Sequence, residues 1–108
     1  MASSLEFAEL VAEKIYSAGS INYRKMFGEY MVYCNGKPIF LICNDTLYAK
    51  VLKETTEIVG ENNEQGAPYN GARQHYIVDV DNDEIVLELA RALERITPLP
   101  KPKKKKVK

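Results

Sequence analysis

The sequence lacks a long apolar run, and it has one histidine and two cysteines among its 108 residues. No apolar stretch approaches the roughly 20 residues that a membrane-spanning helix needs. The opening stretch, MASSLEFAEL, carries acids and no basic segment, so it does not match a secretory signal. We therefore expect a cytoplasmic protein of one globular domain, without a membrane partner.

The two cysteines predict neither a disulfide nor a metal site. A tight turn at Asn35-Gly36 would place Cys34 opposite Lys37 and Cys43 opposite Gly28. Six strand residues of about 3.3 Å each would then separate the two thiols, which is beyond disulfide reach. Their spacing matches no zinc pattern, so we expect reduced core cysteines and no cofactor.

Groups for catalysis are equally sparse. His75 is the only histidine, and no serine or cysteine stands in a nucleophile motif. The acidic residues at 79, 81, 83 and 84 lack the glycine and the terminal glutamate of a calcium loop, so helix capping explains them better. We predict that the protein is not an enzyme. The enzymatic or ligand-binding alternative would be a cleft between sheet and helices, lined by His75 and Tyr76.

The formal net charge of zero hides an uneven distribution. Six of the 15 basic residues lie near the C-terminus, leaving nine against 15 acidic residues elsewhere, a net charge of −6. Prolines 98, 100 and 102 predict a domain over residues 1–98 and a disordered tail over residues 99–108. The tail could contact phosphates without reading sequence, could only solubilise the chain, or could act as a nuclear import signal through PKKKKV. Its candidate nucleic-acid contacts are Lys101, Lys103, Lys104, Lys105, Lys106 and Lys108.

The chain is organised around residues 23–51, where Asn35-Gly36 and Asn44-Asp45 separate three apolar runs. Both dipeptides tolerate the positive φ angles of a two-residue type I′ turn. The pattern predicts a three-stranded antiparallel meander. Residues 38–43 should form an interior strand, because they are apolar on both faces.

Helical patterns flank this meander. Residues 3–18 predict a helix with one apolar stripe and Ser3 as its N-cap. A short helix should begin at residue 53 and stop near Gly60 or Asn62. The last helix should begin near Asp81.

A second hairpin is predicted around Asn70-Gly71, between a short strand at 67–69 and a longer one at 73–80. Tyr76 and Val78 should face the core. These elements predict an α+β fold in two layers, with helices packed on an antiparallel sheet of about five strands in the order α-β-β-β-α-β-β-α.

One pattern is specific enough to suggest a family. It consists of the run RKMFG at 24–28, then Tyr33, Gly36-Lys37, Phe40 and the run DTLYAKV at 45–51. It resembles the N-terminal domain of the TfoX/Sxy family of bacterial competence regulators. That family has an RKMFGG-like entry, an LY strand, a DGK-like turn, an FALI-like strand and a D-x-LYLKV strand. Here Glu29 replaces the second glycine, and Ala49 lies in the middle of the last strand.

The resemblance extends more loosely over the rest of the chain except the tail, and it implies the same two-layer α+β fold. Family regulators act with the cyclic-AMP receptor protein at competence promoters, and the resemblance implies no catalytic residues. Their second, helical domain has no counterpart here, so we expect a single-domain member.

These observations predict a non-enzymatic protein-interaction module in bacterial transcriptional or competence-type regulation. Its partner would be the transcription machinery or a regulator such as the cyclic-AMP receptor protein. The candidate interaction residues are Arg24, Lys25, Phe27, Tyr33 and Lys37. The alternative is a weakly specific nucleic-acid binder that uses the basic tail with Arg24 and Lys25.

Overall fold

Residues 4–99, which the computed structural model describes, form three helices on one face of a six-stranded antiparallel sheet. The helices are α1 (Leu5–Ile15), α2 (Lys53–Val59) and α3 (Asp83–Ile96). The strands are β1 (Ile21–Met26), β2 (Glu29–Cys34), β3 (Lys37–Cys43), β4 (Thr46–Lys50), β5 (Gln65–Gly66) and β6 (His75–Val78), in the order β1-β2-β3-β4-β6-β5. The predicted α+β class is confirmed, with one strand more than the five expected.

The additional strand lies inside the first apolar run of the predicted meander. A turn at Phe27-Gly28 divides that run into β1 and β2, which pair from Met26 opposite Glu29 onward. The turn also corrects the expected position of Cys43, because Gly28 lies in no strand that could face it. Both cysteines are free and buried, as predicted.

Strand β3 is an interior strand, as its two apolar faces predicted, and it runs between β2 and β4. Cys34 pairs with Lys37 as expected, but the register shifts by one residue between Val32 and Tyr33. A β-bulge of this kind leaves one residue without a partner and turns the strand locally.

The helix ends differ from the predicted caps. The hydroxyl of Ser4 caps α1 by accepting a hydrogen bond from the backbone N–H of Phe7 at 3.1 Å, whereas Ser3 lies outside the described residues. Asn82, not Asp81, caps α3, because its side-chain oxygen accepts from the N–H of Ile85 at 3.2 Å. The backbone N–H of Asp81 instead donates to the carboxylate of Asp79 in the preceding turn.

The second hairpin was predicted at the wrong residues. Its short strand is β5 rather than 67–69, because Pro68 has no N–H to donate to a sheet. Residues 67–74 form a loop in which Gly71 has a positive φ of 89° and Asn70 does not. The predicted stop of α2 is confirmed at Gly60, which follows its last residue.

The core lies between the helices and one face of the sheet. Alternation along the strands sends Val32, Phe40 and Leu47 toward the helices, where they pack with residues such as Val11 and Leu89. Tyr76 and Val78 are buried there as predicted. In the described residues no helix is long and apolar enough to cross a membrane. The other side of the sheet, which we call the open face, has no helix packed on it within residues 4–99.

Candidate interaction surface

The open face carries an apolar cleft of about 530 Å³ at the end of the sheet where β1, β2 and β3 lie side by side. Side chains alternate along each strand, so the strand residues that line the cleft point away from the helices. Its lining residues, which define the open-face cleft, are Met26, Phe27, Glu29, Met31, Leu41, Cys43 and Tyr69. A cleft of this size in an uncovered sheet face can accept apolar side chains of a second molecule.

One end of the open-face cleft is formed by the tip of the β1–β2 hairpin. Phe27 and Gly28 have φ angles of 50° and 84°, which is the pattern of a type I′ turn. Asn35-Gly36 shows the same pattern with 53° and 81°, and Asn44-Asp45 with 51° and 53°. Asn, Asp and Gly tolerate positive φ, but a left-handed conformation costs roughly 1–2 kcal/mol for most other residues. Phe27 is therefore an aromatic residue in a position whose backbone favours asparagine or glycine.

The side chain of Phe27 gains no burial that could offset this cost. Its relative exposure is 102%, so the ring is fully accessible to solvent. An exposed phenylalanine alone is unremarkable on a protein surface. An exposed phenylalanine that also occupies an unfavourable backbone conformation is not explained by the stability of the fold.

Tyr69 also lines the open-face cleft. It belongs to the 67–74 loop, which follows β5 at the sheet edge opposite β1. The loop must therefore extend across the open face to bring Tyr69 close to Met26 and Phe27. The ring is 61% exposed, whereas the neighbouring Pro68 is buried and anchors the loop.

The structure distributes the five candidate interaction residues over four places. Phe27 lies at the open-face cleft, and Arg24 and Tyr33 line a second groove of about 570 Å³ beside β1. Arg24 pairs with Met31, so the two grooves adjoin. Lys25 is exposed and points to the helix side of β1, because it pairs with the core-facing Tyr30.

Lys37 serves the fold. Its ammonium donates to the backbone carbonyl of Glu94 at 2.8 Å and lies 3.3 Å from the carboxylate of the same residue. The carboxamide of Asn35 donates to this carboxylate as well, at 3.2 Å. Hydrogen bonds from Asn35 and then Lys37 lower the pKa of Glu94 below its ordinary value. These contacts fasten the β2–β3 turn to α3.

Sequence reasoning named one residue of the open-face cleft, Phe27, and missed the other six. Met31 and Leu41 alternate with core residues, so the pattern contained them, but it could not show which face the helices leave uncovered. Tyr69 lies in a loop and carries no periodic signal. The tail lysines from Lys101 to Lys108 lie outside the described residues, so their predicted nucleic-acid contacts stay a prediction.

The proposed pocket of His75 and Tyr76 does not form. The two side chains lie on opposite faces of β6: the Tyr76 hydroxyl is 2.6 Å from that of Thr56 in the core, and His75 Nδ1 is 2.9 Å from the Arg73 carbonyl. Within residues 4–99 no three His, Cys, Asp or Glu side chains are close enough to hold a metal ion.

Fold and surface together define a small α+β domain with an open sheet face that bears an apolar cleft. Residues 13–92 match the family described as TfoX N-terminal domain, and the chain belongs to this family. It is also 30% identical to a protein of Spirochaeta aurantia, named "Uncharacterized 12.7 kDa protein in trpE 5'region". That similarity extends over 110 aligned residues, covering 100% of this chain and 95% of the relative.

Proposed function

We propose that this domain is a non-enzymatic protein-interaction module in bacterial transcriptional regulation, and that the open-face cleft is its contact surface. The partner would be a component of the transcription machinery or a regulator such as the cyclic-AMP receptor protein, as the family resemblance implies. The single observation that carries the proposal is Phe27, whose ring is fully exposed on a turn with positive φ.

The composition of the open-face cleft supports a protein partner. Aromatic residues and methionines are enriched at protein interfaces, and a few central aromatic residues commonly supply most of the binding energy. Phe27 and Tyr69 line the cleft together with Met26 and Met31. Unbranched methionine side chains adapt to the shape of whatever enters.

The test is partner capture by two matched variants. Phe27→Asn removes the ring and keeps a residue that tolerates the turn. Tyr16→Asn removes an aromatic ring that is 71% exposed on the helix side of the molecule. Each immobilised full-length protein is exposed to a nuclease-treated lysate of the source organism and, separately, to its purified cyclic-AMP receptor protein.

We expect the wild-type protein and Tyr16→Asn to retain the same protein, and Phe27→Asn to lose at least about nine-tenths of it, the usual consequence of removing an aromatic anchor. Equal capture by all three proteins would refute a role for the open-face cleft. The same capture is repeated with untreated lysate, and a protein retained only from the untreated lysate would refute a direct protein partner.

A second candidate is weakly specific nucleic-acid binding, which the presence of exposed Arg24 and of Tyr33 in one groove favours. Cations with an adjacent aromatic ring suit a phosphate backbone with an unstacked base. If all six tail lysines contact phosphates, the log–log salt dependence on duplex DNA should have a slope of about −5. Unchanged binding after deletion of residues 99–108 would exclude the tail.

A further inference from the structure

Strand β1 is a free edge of the sheet. It is the first strand in the sheet order, and within residues 4–99 no strand pairs with its outer side. The backbone N–H of Asn35 donates to the carbonyl of Ser20 at 2.8 Å. Because inward and outward groups alternate in an antiparallel pair, Asn22 and Arg24 bond to β2, while Ile21, Tyr23 and Lys25 direct their N–H and C=O groups outward.

The two edges of the sheet are not equally available. Strand β5 at the other edge has only two residues, whereas β1 has six, all in continuous register with β2. Proteins commonly protect edge strands with proline, bulges, short length or charge. Of these devices β1 has only charge, in Arg24 and Lys25, so its outward backbone groups form a regular template for another strand.

The charge of β1 determines which strand suits it. Arg24 and Lys25 are exposed on opposite faces of the strand, and β1 has no acidic residue. Pairing with a second copy of β1 would bring four cations together with no acidic residue in either strand, and like charges across a strand pair are destabilising. An acidic segment would be complementary.

The groove beside β1 on the open face contains no acidic side chain. Its lining residues are Asn22, Tyr23, Arg24, Tyr33 and Gly36. On the helix side, the carboxylate of Glu9 in α1 lies beside Tyr23. Arg24 therefore carries the positive charge that an added strand would meet on the open face.

We propose that β1 binds an extended acidic segment of the partner protein as a seventh strand of the sheet. Main-chain hydrogen bonds at Ile21, Tyr23 and Lys25 supply affinity, and Arg24 and Lys25 select acidic side chains. Side chains on the open face of the added strand enter the groove lined by Asn22, Arg24 and Tyr33. This inference rests on the proposed function only in requiring a protein partner.

The test uses a fluorescent ten-residue peptide in which glutamate alternates with threonine and valine. Controls are the same peptide with lysine for glutamate, and a single-stranded oligonucleotide of equal charge. Lys25→Pro removes one outward N–H that β2 does not use, and proline is tolerated at such edge positions. Lys25→Ala removes the same charge and keeps the N–H. Amide hydrogen exchange of the full-length protein locates the contact.

We expect the acidic peptide to bind and to slow exchange at Ile21, Tyr23 and Lys25. Lys25→Pro should weaken binding about tenfold more than Lys25→Ala, the effect of one lost hydrogen bond with its donor removed. No protection at these three amides, equal effects of the two variants, or tighter binding of the oligonucleotide or lysine peptide would overturn the inference. Concentration-dependent protection without peptide would instead identify a second copy as the occupant and overturn it too.

The two proposals fail separately. Loss of capture by Phe27→Asn together with no peptide effect at β1 would retain the open-face cleft and reject strand addition. Peptide binding at β1 with undiminished capture by Phe27→Asn would retain strand addition and reject the open-face cleft.

Discussion

Strand β2 begins and ends at turns with nearly the same backbone and very different side chains. At its far end Asn35 has a φ of 53° and its side chain is fully engaged: its oxygen accepts from the N–H of Ser20 at 2.9 Å, and its nitrogen donates to Glu94. At its near end Phe27 has a φ of 50° and its ring is fully exposed. One turn has the residue that the fold requires, and the other has a residue that the fold does not require.

The two turns that flank β2 therefore allow a structural and a functional explanation of a turn residue to be compared. The family-like run at 24–28 could persist because the sheet needs it, or because a partner does. Since Asn35 shows what a turn of this type uses for stability, Phe27 favours the second explanation. Four predictions test the contrast.

The largest effect on stability is expected at the Asn35-Gly36 turn. Asn35→Ala should lower the free energy of unfolding by about 2 kcal/mol, because two side-chain hydrogen bonds are lost and alanine tolerates positive φ poorly. Asn44→Ala is the matched control: φ is 51° there, and the bond to Glu29 is made by the backbone N–H, which alanine keeps. Urea unfolding should show a smaller loss for Asn44→Ala. Equal losses would mean that the Asn35 side-chain bonds contribute nothing.

At the Phe27-Gly28 turn we expect a substitution to raise the free energy of unfolding rather than lower it. Phe27→Asn should raise the free energy of unfolding by about 0.5–1 kcal/mol, because asparagine tolerates the left-handed conformation and no buried surface is lost. Phe27→Leu, which keeps an apolar side chain without relieving the turn, should leave stability within about 0.5 kcal/mol of wild type. A fall of more than about 1 kcal/mol in Phe27→Asn would show that the ring packs in solution.

A third prediction concerns pH and again belongs to the Asn35 turn. The folded-state pKa of Glu94 is lowered from an ordinary value of about 4.5, so its contribution to stability is present above that pH and is lost as the pH falls through the folded-state pKa. Glu94→Gln should therefore flatten the acid limb of the stability curve. Glu88→Gln, an exposed change on the same helix, should not flatten it to the same extent. Overlapping acid limbs for wild type and Glu94→Gln would contradict the assignment.

The smallest effect concerns the two thiols. Burial raises the pKa of Cys43 to about 11, and burial followed by the nearby Glu94 raises that of Cys34. Both thiols should therefore react with N-ethylmaleimide at pH 8 far more slowly than in urea. In Asn35→Ala, Cys34 should become labelled before Cys43, because it adjoins the weakened turn. Mass spectrometry gives the order, and earlier labelling of Cys43 would contradict a local weakening.

Much of the fold was predictable because several of its local signals agree. Asn35-Gly36 and Asn44-Asp45 identified two turns, and apolar stripes identified the two longer helices, α1 and α3. The missed turn was Phe27-Gly28, where the side chain contradicts the backbone preference on which turn prediction relies. Its remaining clue was the twelve-residue length of the run at 23–34, about twice that of an average strand. The short strand β5 was misplaced because two residues carry no detectable periodicity.

The candidate surface was only partly predictable, for a different physical reason. Alternation shows which residues share a face, but it cannot show that helices cover one face of β3 and leave the other open. Lys37 was predicted at a binding surface, and no strand pattern indicated that its ammonium bonds to Glu94 of α3. The alternation of residue types shows which side chains share a face of a strand, and tertiary packing determines which face is exposed.

Whether Phe27 is kept for binding is tested most sharply by measuring urea unfolding and partner capture on the same preparation of Phe27→Asn. If the ring serves binding alone, the unfolding midpoint should equal or exceed that of wild type, while captured partner falls at least about tenfold. A lowered midpoint with undiminished capture would contradict this, and would assign Phe27 to the fold.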